Sequence, residues 1–119
     1  MRNVIDAAMN SRPLESDWKL YRARIDGWRD RYLEQKNKEI AAILTNKQET
    51  PTGQFWDTKE KIDEVARILI DCFDAYSRST MEMHLLSMLD FGVIRDSDLT
   101  EFSEELCERV RRIFNRSLQ

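Results

Sequence analysis

Glycine and proline are scarce in this sequence: three and two, respectively, in 119 residues. So few turn-formers exclude an all-β fold built from many short strands. Cysteine is nearly absent too. Cys72 and Cys107 stand alone, with no CxxC partner, which excludes a disulfide framework and points to buried free thiols in a reducing, cytoplasmic setting. A single histidine, His84, leaves little from which to build a His-based metal cluster or a Cys/His catalytic pair. No window approaches the roughly 20 apolar residues of a membrane span, and "MRNVIDAAMN" lacks the apolar run of a signal peptide. Positive charge is not in excess. The net charge is -3 and the pI about 5.3, which argues against general binding to nucleic acid or anionic membrane.

What is present is helical. Hydrophobic residues make up 41% of the chain, enough for one core, and residues 1–119 are read as a single helical domain. "NVIDAAMN" suits a short first helix capped by Asn3 and ended by Pro13. A second, long helix is expected over residues 16–46. Its stripe of Trp18, Tyr21, Ile25, Trp28 and Tyr32 recurs every three or four positions, is interrupted by Gln35 and Glu39, and resumes at Ile43. Thr50-Pro51 reads as a cap and first position, opening a third helix that runs to about Tyr76. Phe55, Ile62, Val65, Ala66, Leu69, Cys72, Phe73 and Tyr76 share one of its faces. Ser79 and Glu82 have capping-box spacing for a fourth helix, which Gly92 ends, and a fifth starts near Asp96–Asp98 and runs to about Arg116. The expectation is an all-α antiparallel bundle of about four main helices, one of them long, plus the short N-terminal helix.

The stretch "STMEMHLLSMLDFGVI" is apolar on too many sides for a surface helix. Either it is wrapped by the other helices, or Met81, Met83, Leu85, Leu86 and Met88 meet a second chain, with Trp18 and Trp28 as further interface candidates. A homodimer or another protein partner is therefore expected. The leading reading is a non-enzymatic adaptor or regulator without cofactor or metal.

The alternative is an all-α, Mg²⁺-dependent nucleotide phosphohydrolase. All-α nucleotide pyrophosphohydrolases hold Mg²⁺ through ExxE and ExxD pairs on adjacent helices. Glu60 with Asp63 is similar to the second pair and Glu101 with Glu104 to the first, in reversed order along the chain. Gln35 and Glu39 interrupt an apolar stripe, so they line a cavity, pair with a cation, or mark where the long helix leaves the core. Arg24, Arg31 and Lys38 recur every seven residues beside Trp28, the spacing of a phosphate-contacting face in a nucleic-acid-associated regulator, but Asp26, Asp30 and Glu34 dilute it. His84 is expected to pack in the core.

Overall fold

A computed structural model describes residues 14–117 of the chain. The N-terminal helix expected at "NVIDAAMN" lies outside the described residues. Four α-helices follow: α1 (Glu15–Leu44), α2 (Pro51–Phe73), α3 (Met81–Asp90) and α4 (Glu104–Ser117). Short 3₁₀ turns at Arg78–Thr80 and Asp96–Leu99 precede α3 and α4, and no strand occurs among the described residues.

The long helix is present, with 30 residues and hence about 45 Å of length. It ends at Leu44 rather than Asn46, where Thr45 turns its hydroxyl back onto the Ala41 carbonyl. At the hairpin turn the Thr50 hydroxyl accepts a hydrogen bond from the Gly53 N–H, and Pro51 occupies the first helical position as expected. The Gln54 amide donates to the Asn46 carbonyl across the loop, so α1 and α2 are tied together at their tip.

Three further boundaries differ from the sequence expectation. α2 stops at Phe73, because Asp74 is extended and Ala75 adopts φ +52°, a left-handed conformation that turns the chain. Tyr76 then folds back, its ring 5.8 Å from that of Tyr21 and 6.2 Å from that of Trp18. The capping box belongs to Ser77 and Thr80, not to Ser79 and Glu82; Glu82 instead turns inward. Residues 96–99 form a separate 3₁₀ turn, and α4 begins only at Glu104, where the Ser103 hydroxyl accepts from the Leu106 N–H.

Gly92 behaves as its position predicts. At φ +74° it closes α3 in a Schellman motif, with the Val93 N–H on the Met88 carbonyl at 2.8 Å and the Val93 side chain buried.

The core occupies one end of the molecule. There Trp18, Tyr21, Ile25 and Trp28 of α1 pack against Cys72 and Phe73 of α2 and Leu106 and Val110 of α4. Met81, Leu85 and Met88 of α3 are wholly buried among them, so the most apolar helix is the central one. Two buried polar links fix the ends. The Asp17 carboxylate accepts from the Ser103 backbone N–H at 2.9 Å and from its hydroxyl at 2.6 Å, joining the start of α1 to the start of α4. Arg109 of α4 makes a charge-assisted fork with the buried Glu82 of α3, its Nε lying 3.1 and 3.3 Å from the two carboxylate oxygens.

Beyond Tyr32 the picture changes. No residue from Leu33 to Asp57 is fully buried, and the outer half of α1 is partnered by α2. The result is an elongated body of 57 × 29 × 24 Å, a helical core at one end with a two-helix hairpin projecting from it.

Candidate protein-docking face

Two helices packed as a single layer each cover one stripe of the other, and anything wider stays in water. The stripe on α2 is wider. Thr58, Val65 and Cys72 turn toward α1 and are buried, whereas Phe55 and Ile62 on its flank are 58% and 46% exposed. Ile70, at 60%, continues that flank, and Leu69 beside it is half-buried. Trp56 is 58% exposed next to Phe55, the two rings edge to face at 5.0 Å. From α1, Leu33, Ile40 and Leu44 border the same side, with Leu44 half exposed.

The charges on and around this face are locally balanced. Lys59 pairs with Asp63 at 2.7 Å, and Arg29 pairs with Asp26 at 2.8 Å. Arg29 also lies 5.6 Å above the Phe73 ring, at a shallow depression lined by Leu69, Ile70, Phe73 and Asp74. The face thus has an aromatic knob at the hairpin tip and a shallow socket, part apolar and part charged, at its root.

The sequence-derived candidates are dispersed. Trp18, Trp28, Met81, Leu85 and Met88 are covered by the chain's own helices, while Met83 is half exposed and Leu86 lines a shallow groove with Ser87, Asp90, Ile113 and Phe114. Gln35 is exposed, and Glu39 bridges Lys36 at 3.1 Å and Lys61 at 3.4 Å. Its hydrogen bond to Lys36 holds the Glu39 carboxyl below the ordinary carboxylate range.

Arg24 and Arg31 do not form a free basic stripe. Arg24 makes a bidentate pair with Glu101, at 2.7 and 2.8 Å, and Arg31 makes one with Asp98, at 2.7 and 3.0 Å. Hydrogen bonding to these carboxylates raises both guanidinium pKa values, and the pairs tie the loop before α4 to α1. Lys38 is exposed further out.

The acidic pairs are not brought together. Glu60 and Asp63 lie exposed on the outer surface of the hairpin, beside Lys61, which reaches Glu39. Glu101 meets Arg24, fifteen residues earlier on α1, or about 22 Å of helix away. Glu104 is exposed at the start of α4. Among the described residues, no cluster of three or more His, Cys, Asp or Glu side chains is arranged to hold a metal ion.

His84 is buried, and burial holds its imidazole below the ordinary value of 6.5, against the backbone of Asp74 and Thr80, which favours the charged form. Both cysteines are buried free thiols. Burial pushes Cys72 up to about 12, and Cys107 Sγ donates to the Leu99 carbonyl.

Sequence reasoning placed the apolar surplus on α3, whereas the exposed surplus lies on α2. A signal for it was present. Phe55, Ile62 and Leu69 recur every seven residues, with Ala66 and Phe73 four residues after Ile62 and Leu69, the spacing of a second seam beside the one α1 fills. No family model, curated protein or solved structure matches the chain.

Proposed function

We propose that this chain acts through protein–protein contacts, as a homodimeric adaptor or regulator, with the projecting hairpin as its docking element. The carrying observation is the exposure of Phe55, Trp56, Ile62 and Ile70 on the part of α2 beside and beyond the stripe that α1 fills. Large apolar side chains scattered singly on a surface need no explanation, but four on one regular element, two of them aromatic rings in contact, support an interaction site. The Lys59–Asp63 pair, which lies between Trp56 and Ile70 on the same side of α2, is neutral as a unit and leaves no unbalanced charge there.

Two buried free thiols suit a reducing compartment such as the cytoplasm, and no helix among the described residues is long and apolar enough to cross a membrane. Light scattering across a concentration series tests the reading: the expected mass is near twice 14.2 kDa. A purified chain that remains at 14.2 kDa throughout the series would remove the homodimer.

A further inference from the structure

We infer that the hairpin face is covered by the same face of a second copy, the two hairpins lying antiparallel across a two-fold axis near Ile62. This rests on the homodimer reading and specifies which surface makes the dimer.

Two observations carry it. The first is area. Five side chains, Leu44, Phe55, Trp56, Ile62 and Ile70, are each about half exposed. At about 150–200 Å² for a large apolar side chain, they leave on the order of 450 Å² per chain, or roughly 900 Å² for two copies. Leu33, Ile40, Leu69 and the polar rim bring the total to about 1,200 Å², the lower bound of a standard specific interface.

The second is shape. The tip knob at Phe55–Trp56 and the root socket at Leu69, Ile70 and Phe73 lie fifteen residues apart on α2, about 22 Å. A two-fold axis midway, at Ile62, sets each knob over the other copy's socket and satisfies both at once, as an isologous contact requires.

The four helices then form a two-layer bundle in which each α2 uses one seam for its own α1 and the other for its partner.

Ile62→Glu tests the axis, because it places two carboxylates face to face in the dimer while its half-exposed position leaves the single chain foldable. Light scattering should show the dimer dissociation constant raised at least about tenfold, with the helical circular dichroism spectrum retained. A second measurement avoids dependence on that variant. With p-benzoylphenylalanine in place of Phe55, illumination of mixed ¹⁴N and ¹⁵N chains should give mixed-isotope cross-links to residues 69–74. Tip-to-tip cross-links between copies would overturn the antiparallel arrangement. A dimer insensitive to Ile62→Glu and without cross-links from position 55 would move the interface elsewhere, leaving the homodimer standing. A monomeric wild type would overturn both.

Discussion

Glu82 shows how far a single side chain can depart from its local pattern. Its spacing from Ser79 matches a capping box, yet its side chain is buried and held by Arg109 from another helix. Removing one member of such a pair strands the other charge. Glu82→Ala should therefore destabilise the chain by about 3 kcal/mol, the low end for a broken buried pair because Arg109 keeps some access to water. Urea unfolding checks this; a loss below about 0.5 kcal/mol, the range of ordinary surface changes, would mean that Arg109 simply swings into solvent. His84 is the second case. Burial depresses its pKa, so the folded state resists a proton that the unfolded chain takes up once pH falls through about 6.5. Stability contributed by the neutral imidazole is complete above that value and declines as pH drops toward the lower folded pKa. Urea midpoints measured from about pH 7.5 down to pH 5.5 should fall in the wild type and fall less in His84→Gln. Equal slopes in the two proteins would assign the pH dependence to other groups.

Among the elements, α1 is where local pattern was most informative. The regular stripe from Trp18 to Tyr32 is buried throughout, and its interruption at Gln35 and Glu39 coincides with the point where α1 leaves the core. Because Glu39 is 40% exposed and its two lysine partners keep contact with solvent, Glu39→Ala should leave the thermal midpoint unchanged within error. A clear drop in that midpoint would show that the Lys61 bridge holds the hairpin together. Caps built from adjacent residues were equally legible: Thr50 with Pro51, and Gly92 at its left-handed angle. The boundaries that eluded the sequence depend on distant partners or on unusual backbone. Ala75 takes a left-handed angle without glycine to announce it, so the end of α2 carried no signal. The start of α4 depends on Ser103, whose backbone and hydroxyl are held by Asp17, 86 positions away. No periodicity encodes such a pairing. For the candidate site the limit was different, since periodicity gave the apolar face of α2 but not the width that α1 would cover.

At the scale of the whole molecule, the two ends differ in what holds them. The core end combines Met81, Leu85, Met88, Leu106 and Val110, all fully buried, with the Asp17–Ser103 and Glu82–Arg109 links. The hairpin end has Thr58 and Val65 as its buried side chains on α2, and ion pairs along exposed edges. Backbone amides open in cooperative units whose free energy follows such differences in burial. Amides of residues 35–44 and 54–62 should therefore exchange hydrogen faster than those of residues 21–32 and 84–89 in a dilute sample. If a second copy covers the hairpin, association adds protection there by mass action and adds little at the core end. Raising the protein concentration through the dimer transition should slow exchange selectively in residues 54–70, and Ile62→Glu should abolish that slowing. Concentration-dependent protection centred instead on residues 83–91 would place the contact on α3, around Met83 and Leu86, and uniform exchange at every concentration would leave the hairpin face uncovered.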